Sequence, residues 1–184
     1  MADNATVLTG SVATGKSTVA GMLKEAGYNV IDADRISREV FKIKEDEIAR
    51  FFDTTNRQQI AAIIFTDPRK KKKLEEIMHP TINSIIIEEA KKLELLNKRY
   101  FIEIPLFFEN YGSYPFKKSV VVYAPRELQF KRLTKKRGLG ADMANAMINA
   151  QISIEEKKKR SAWIDNSGDI DRLQKNVEHF IRNA

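Results

Sequence analysis

The fold of this chain is decided by the stretch Gly10-Ser11-Val12-Ala13-Thr14-Gly15-Lys16-Ser17, which has the spacing G-x-x-x-x-G-K-[ST] of a phosphate-binding loop. Residues 6–9 before it form an apolar run that predicts a buried strand, and residues 16–26 after it predict a helix. Between a strand and a helix, the backbone N–H groups of such a loop and the N-terminus of the helix bind phosphate together. The stretch therefore predicts a site for a nucleoside triphosphate.

The motif also assigns roles to single side chains. The ammonium group of Lys16 is expected to reach the β- and γ-phosphates, and the hydroxyl of Ser17 is expected to ligate Mg²⁺. We therefore predict ATP and Mg²⁺ as cofactors. The expected nucleotide contacts in this part of the chain are Gly10, Ala13, Thr14, Gly15, Lys16, Ser17 and Thr18.

Strand and helix signals alternate along the rest of the chain. Short β-branched runs predict strands at residues 30–31, 100–104, 119–123 and 163–165. Helical signals fall at residues 34–41, 45–52, 58–65, 68–78, 81–96, 141–151, 154–160 and 169–181, with a further helix opened by Pro125. Asp67-Pro68 is a strong helix start, whereas His79-Pro80 is expected to break the chain between two helices. The pattern predicts an α/β fold whose parallel sheet is covered by helices on both faces, with ligands beyond the carboxyl ends of the strands.

Composition narrows the class of protein. The chain has 184 residues, 42% of them hydrophobic, which suits one domain with elaborations. It has no cysteine, no apolar run long enough to span a membrane, and no basic-then-apolar start of a secretory signal, so we expect a cytoplasmic protein. A net charge of +7 favours anionic partners of any kind. The basic clusters at residues 69–73 and 157–160 are interpreted as solvated helix surface, with a rim that attracts polyphosphate as the alternative.

A pair of carboxylates follows the second predicted strand. Asp32 and Asp34 flank Ala33 at its end, so one or both can face the cleft that the phosphate-binding loop opens. We interpret Asp34 as the N-cap of the next helix. Asp32 has no such local role, and it is predicted to orient a hydroxyl acceptor and accept its proton as the catalytic base.

Beyond these local signals, several segments occur in a characteristic order along the chain: Leu8-Thr9-Gly10, Val30-Ile31-Asp32-Ala33-Asp34 with Arg38, Phe65-Thr66-Asp67-Pro68, Leu74, His79-Pro80, Pro105-Leu106-Phe107-Phe108-Glu109, Gln129, Arg132, Arg137, Gln151, Lys157 and Ile164-Asp165-Asn166-Ser167-Gly168. In this order they resemble one family, dephospho-coenzyme A kinase, over nearly the whole chain. Many NTPases share the phosphate-binding loop, but the other segments in this order are specific.

The resemblance implies a three-layer P-loop NTPase fold with a helical acceptor domain and a helical lid. The nucleotide-binding core would comprise residues 1–34, 98–125 and 161–184, the acceptor domain residues 35–97, and the lid residues 126–160. The reaction would be transfer of the γ-phosphate of ATP to the ribose 3′-hydroxyl of dephospho-CoA. The partner would be this small molecule, not nucleic acid or a membrane, and we expect a monomer.

The resemblance also implies roles for residues outside the phosphate-binding loop. Arg132 and Arg137 would be lid arginines that close over ATP and stabilise charge on the transferred group, catalytic with Lys16 and Asp32. Asn166 and Gly168 would contact adenine. The acceptor pocket would comprise Asp32, Arg38, His79 and Glu109.

Three residues depart from the family pattern, and one is set aside. Ser11 and Ala13 stand where the family commonly has glycine, which stiffens the loop, and Glu103 stands where the family usually has aspartate, which makes the metal geometry less certain. Trp163, the only tryptophan, is interpreted as core packing and not as part of the site.

Two other functions compete with this interpretation. One is another small-molecule kinase of the same fold, acting on a nucleoside monophosphate. The other is a basic nucleic-acid-binding module that retains an NTP loop. Against the second, aromatic residues are not interleaved with the lysine clusters, and the sequence has no base-stacking motif.

Overall fold

The computed structural model describes residues 2–110 and 114–183 of the chain. Its centre is a sheet of parallel strands in the order β2-β3-β1-β4-β5. The strands are β1 (Ala5–Thr9), β2 (Asn29–Asp32), β3 (Tyr100–Glu103), β4 (Ser119–Tyr123) and β5 (Ala162–Asp165). All five were predicted from short β-branched or apolar runs, and the α/β class with a parallel sheet is confirmed.

Helices connect the strands and cover the sheet. They are α1 (Lys16–Glu25), α2 (Ala33–Ile43), α3 (Glu45–Phe52), α4 (Arg57–Thr66), α5 (Pro68–Glu94), α6 (Arg126–Lys131), α7 (Ala141–Asn149), α8 (Ile154–Lys159) and α9 (Ile170–Asn183). A π-helical segment, Arg132–Lys136, continues α6 directly. None of the helices in the described ranges is both long and apolar enough to cross a membrane.

Both faces of the sheet are buried, which explains why its strands are apolar without a polar alternation. On one face, strand residues such as Val7, Ile102 and Val121 share a core with α2 to α5. On the other face, strand residues such as Leu8 and Phe101 share a core with α1 and α9. Neighbouring strand residues point to opposite faces, so one strand supplies both cores. The three layers put all the strand carboxyl ends along one edge.

The helix α5 corrects the expectation of a break at His79-Pro80. It runs unbroken from Pro68 to Glu94, with Pro80 inside it. Proline in a helix interior removes a hydrogen bond and costs roughly 3 kcal/mol. Here the buried row that includes Met78, Ile82 and Ile86 packs α5 on both sides of Pro80 against the core, which holds the helix together across the defect.

Three other expectations about burial and boundaries are wrong. Lys157 is not solvated surface but fully buried, although the neighbouring basic residues 159 and 160 and the cluster at residues 69–73 are exposed. Trp163 is not core, because 45% of it is exposed and it lies against Tyr123 and the ammonium of Lys158. The helix α7 ends two residues earlier than predicted.

Candidate active site

The phosphate-binding loop leaves β1 and enters α1 at the edge where the strands end. Gly15 there has a φ of 93°, a left-handed conformation that glycine adopts without strain. Ala13 adopts a φ of 57°, so this loop holds a non-glycine residue in the same region. The loop forms one wall of a cavity of about 440 Å³. The residues that line it are Ala13, Gly15, Lys16, Ser17, Thr18, Arg132, Lys136, Arg137, Asn166, Gly168, Asp169, Ile170 and Leu173.

The side chain of Lys16 lies along the loop. Its Nζ donates to the carbonyl oxygens of Gly10 at 3.2 Å and of Ser11 at 3.0 Å. Burial lowers the pKa of Lys16 to about 8, and the positive charge of Lys157 acts in the same direction, while the carboxylates of Glu103 and Asp34 oppose the shift. Lys16 is therefore protonated at neutral pH, and it loses its proton at a lower pH than an exposed lysine does.

Ser17 meets a carboxylate from the neighbouring strand. Its Oγ donates to Glu103 Oε1 at 3.2 Å, and Glu103 is the last residue of β3, which pairs with β1. Burial raises the pKa of Glu103, and the charges of Asp32 and Asp34 add to the effect. A hydroxyl and a carboxylate oxygen side by side are hard ligands that suit Mg²⁺. Within the described ranges, no group of three or more His, Cys, Asp or Glu could hold a metal.

The cap of α2 is not the aspartate that the sequence suggested. Asp32 is the N-cap of α2, because its Oδ1 accepts from the backbone N–H of Arg35 at 2.9 Å. Asp34 is not the cap, since it lies in the first turn of α2. Among the described residues Asp34 has no hydrogen-bond or ion-pair partner, and it is exposed. Its charge acts on both Lys16 and Glu103.

Arg132 ties the phosphate-binding loop to the turn after β5. Its guanidinium donates to the carbonyl oxygens of Ala13 at 3.2 Å, Thr14 at 3.3 Å and Asn166 at 2.8 Å. The Asn166 amide nitrogen donates to Thr14 O at 2.7 Å, which adds a second tie. A Cβ on Gly15 would overlap that amide nitrogen, so only glycine fits here. The structure brings the loop, Arg132 and Asn166 into one assembly.

The other residues predicted for a lid and for adenine contacts border the same cavity. Arg137 ends the π-helical segment, is exposed, and lines the cavity together with Lys136. Gly168 also lines it, one residue before Asp169. The nucleotide contacts predicted from the sequence therefore surround one space, apart from Gly10 and Thr14, which shape the loop without lining it.

The expected acceptor residues are spread more widely. His79 lines a second cavity of about 340 Å³ in the helical block, bordered also by Ser37, Arg57, Leu74 and Glu75. Arg38 is exposed and lines neither cavity. Glu109 is engaged within the protein, because its Oε1 accepts from the backbone N–H of Ile152 at 3.0 Å and lies 2.8 Å from Lys157 Nζ.

Comparison with known proteins identifies the family of the chain. The family model described as dephospho-CoA kinase matches residues 5–172. The chain belongs to the dephospho-CoA kinase family. A dephospho-CoA kinase of Sulfurimonas denitrificans is 44% identical over 185 residues, covering 96% of this chain and 92% of the relative. One from Helicobacter pylori is 38% identical over 189 residues, covering 97% and 96%.

Solved structures agree with this membership. The dephospho-CoA kinase from Campylobacter jejuni superposes with a TM-score of 0.74 at 30% identity, covering 97% of this chain and 96% of the other. A protein from Thermus thermophilus superposes with a TM-score of 0.85 at 32% identity, with the same coverage. A shikimate kinase from Bacteroides thetaiotaomicron, with a TM-score of 0.57 at 14% identity, shares the fold alone. The predictions of a P-loop kinase fold, of the dephospho-CoA kinase family and of an ATP-dependent transferase with an alcohol acceptor are confirmed.

Several residues that contact the phosphate-binding loop or support it had no role assigned from the sequence. Glu103 was noted only as a departure, and its contact with Ser17 follows from the register of β1 and β3. Gln151 and Lys157 carried the resemblance but no function, and both contact residues far away in the sequence. The pattern of a single sequence does not reveal contacts between residues so far apart. Once the fold is known, Lys157 differs from its neighbours because it is buried, whereas the basic residues 159 and 160 are exposed.

Proposed function

We propose that this chain transfers the γ-phosphate of ATP to the ribose 3′-hydroxyl of dephospho-CoA, giving ADP and CoA. The observation that carries the proposal is the meeting of three groups at one sheet edge: the loop that holds Lys16, the Ser17–Glu103 pair and the exposed carboxylate of Asp34. An in-line transfer needs a held phosphate, a cation and an oriented alcohol, and mainly positioning and charge neutralisation would accelerate it.

Asp34 is the side chain that we propose as the base. The cap contact to Arg35 occupies one oxygen of Asp32, whereas the carboxylate of Asp34 has no partner within the described ranges and its charge reaches Lys16. Asp32 then holds the start of α2, and through it the direction in which Asp34 faces the acceptor. This moves the base by two residues from the expectation drawn from the sequence.

Matched asparagine variants test this assignment. Asp34→Asn is expected to lower kcat roughly 10²- to 10⁴-fold, the range for loss of a general base, and to leave the ADP dissociation constant unchanged. Asp32→Asn keeps the cap, since asparagine caps as well as aspartate, and is expected to keep most of the rate. The reverse result, with Asp32→Asn inactive and Asp34→Asn active, would return the base to Asp32.

The acceptor itself is tested by a panel. With Mg·ATP, ADP release should respond to dephospho-CoA and not to nucleoside monophosphates. A response to the monophosphates alone would replace the proposed function with that of a nucleoside monophosphate kinase. ADP release that no small acceptor stimulates, together with salt-sensitive RNA binding, would favour the nucleic-acid-binding alternative.

The two arginines expected in the lid receive separate proposed roles. Arg132 already donates to three backbone carbonyls, so we propose that it shapes the nucleotide site. Arg137 is exposed beside the cavity and is the one proposed to reach the transferred phosphoryl group. Arg137→Gln should therefore lower kcat and spare ADP affinity, whereas Arg132→Gln should lower the midpoint of unfolding and the affinity together.

The Ser17–Glu103 pair would hold Mg²⁺, which when bound neutralises charge on the phosphates. We further propose that the helices from α2 to α5 receive the acceptor, with His79 and the second cavity on its path. Arg38 stays a proposed surface contact for the acceptor.

We also propose that the protein is a cytoplasmic monomer whose partners are small molecules. The proposal of a monomer rests on one chain supplying every element of the site. Size-exclusion chromatography with light scattering tests it.

A further inference from the structure

The segment that follows α7 contacts the phosphate-binding loop. Gln151 and Ile152 follow α7, and Gln151 Oε1 accepts from the backbone N–H of Val12 at 2.9 Å. The hydroxyl of Ser11 donates to the carbonyl oxygen of Ile152 at 3.4 Å. Two consecutive residues of the loop are therefore held by two consecutive residues from a distant part of the sequence.

The contact of Gln151 falls on the peptide group that also holds Lys16. The carbonyl oxygen of Ser11 accepts from Lys16 Nζ at 3.0 Å and from Thr14 Oγ1 at 2.9 Å. The N–H of the same planar peptide group belongs to Val12 and donates to Gln151. Because a planar group turns as a unit, the side chain that fixes its N–H also fixes the direction of its carbonyl. Gln151 thus acts on Lys16 through one peptide group.

Glu109 also contacts the segment of residues 151–152. Its Oε1 accepts from the N–H of Ile152 at 3.0 Å and lies 2.8 Å from the Nζ of Lys157. The side chain of Lys157 is fully buried and that of Glu109 is 17% exposed. A buried charge needs a close partner, so each of the two fixes the other. Their contact anchors residues 151–152 to the loop that comes after β3.

We propose that Gln151 and Glu109 are positioning residues for the phosphate-binding loop, Gln151 directly and Glu109 through Ile152. Neither side chain lines the nucleotide cavity. The inference concerns only the nucleotide side of the site and holds whichever alcohol is the acceptor. It predicts that nucleotide affinity depends on two side chains that lie outside the cavity.

The first test removes the acceptor from Val12. Gln151→Met has nearly the same length and shape but no oxygen, and Gln174→Met, on the exposed face of α9, is the matched control. Titration calorimetry with ADP should show a dissociation constant about five- to tenfold higher for Gln151→Met, with a melting temperature within about 2 °C of the parent. Gln174→Met should leave both values unchanged.

A double-mutant cycle with Lys16 separates positioning from general loosening. Lys16→Met removes the ammonium that the Ser11 carbonyl holds, so Gln151→Met in that background should change the ADP dissociation constant less than about twofold. Unchanged affinity in the single variant, an equal loss of affinity in the two backgrounds, or a loss of affinity matched by a fall in melting temperature would overturn the role of Gln151.

The second test isolates the oxygen of Glu109. In a Lys157→Met background, which removes the buried cation, Glu109→Gln keeps an acceptor for the N–H of Ile152 and Glu109→Met does not. The two double variants have the same charge and nearly the same volume. ADP affinity should stay within about twofold of the parent in the glutamine variant and fall about fivefold in the methionine variant. Equal affinities in the two would overturn the role of Glu109.

Discussion

Gly15 shows how a single position can be restricted for two separate reasons. Its φ of 93° disfavours any side chain, and the Asn166 amide occupies the space a Cβ would need. Gly27 has a φ of 86° at the end of α1, with nothing near its Cβ position. The backbone conformation therefore restricts both glycines, but a neighbouring side chain restricts only Gly15.

We predict that Gly15→Ala and Gly27→Ala differ both in stability and in function. Both should lose about 1–2 kcal/mol of unfolding free energy to the left-handed conformation, and Gly15→Ala should lose more because its Cβ also overlaps the Asn166 amide. Gly15→Ala should in addition raise the ADP dissociation constant more than tenfold, because it displaces Asn166 from Thr14. Chemical denaturation and calorimetry measure the two effects. Unimpaired ADP binding by Gly15→Ala would show that the Asn166 contact is dispensable.

The titration of Lys16 gives the second prediction at this scale. Its pKa is lowered to about 8, and phosphate binds the protonated form, so ADP affinity should be constant well below pH 8 and fall as the pH rises above it. The fall should approach tenfold per pH unit. Lys16→Arg keeps its charge throughout, so its affinity, whatever its size, should not decline between pH 7 and pH 9. Parallel declines in the two proteins would assign the titration to another group.

At the scale of the element, α5 is a helix whose local sequence predicts a break that packing against the core prevents. The rule that proline breaks a helix predicted two helices, and tertiary packing produced one. The penalty is still present in the folded state, and substitution should recover it. Pro80→Ala is expected to raise the free energy of unfolding by about 1–3 kcal/mol, measured by urea denaturation.

Proline at the start of the same helix provides the control. Pro68 is the first residue of α5 after the cap Asp67, where a missing N–H costs nothing. Pro68→Ala should therefore bring no gain in stability. If Pro80→Ala also brought none, the packing around residue 80 would have to favour the proline ring itself.

The same contrast explains what the sequence could and could not predict. Strands, the phosphate-binding loop and the cap at Asp67 depend on neighbours within a few residues, and they were predicted correctly. The contact of Val12 with Gln151 spans 139 residues, and the burial of Lys157 depends on Glu109 from a distant loop. The choice between Asp32 and Asp34 as cap depends on where α2 begins, and a shift of two residues exchanges a capping carboxylate for an exposed one.

At the scale of the whole molecule, we propose separate binding regions for ADP and for dephospho-CoA. Each ligand should therefore stabilise the folded protein on its own. Each ligand at about 100 times its dissociation constant adds roughly 2.7 kcal/mol, which is several degrees of melting temperature for a chain of this size. ADP and dephospho-CoA should each raise the melting temperature. Lys16→Ala should abolish the shift with ADP and keep that with dephospho-CoA, whereas His79→Ala should reduce only the latter. If Lys16→Ala abolished both shifts, the two ligands would share one region.

The strand order of the sheet spaces three segments of the candidate site along one edge. The turn with Asn166 comes after β5 at one border, the phosphate-binding loop after β1 in the middle, and Asp34 after β2 at the other border. Neighbouring strands lie about 4.8 Å apart, so the middle is about 10 Å from either border. We propose that purine, phosphate chain and receiving sugar lie in that sequence across the strands. On this proposal, a descendant of this scaffold could acquire a new acceptor by remodelling only the helices between β2 and β3, while the phosphate-binding loop and the turn after β5 stay unchanged.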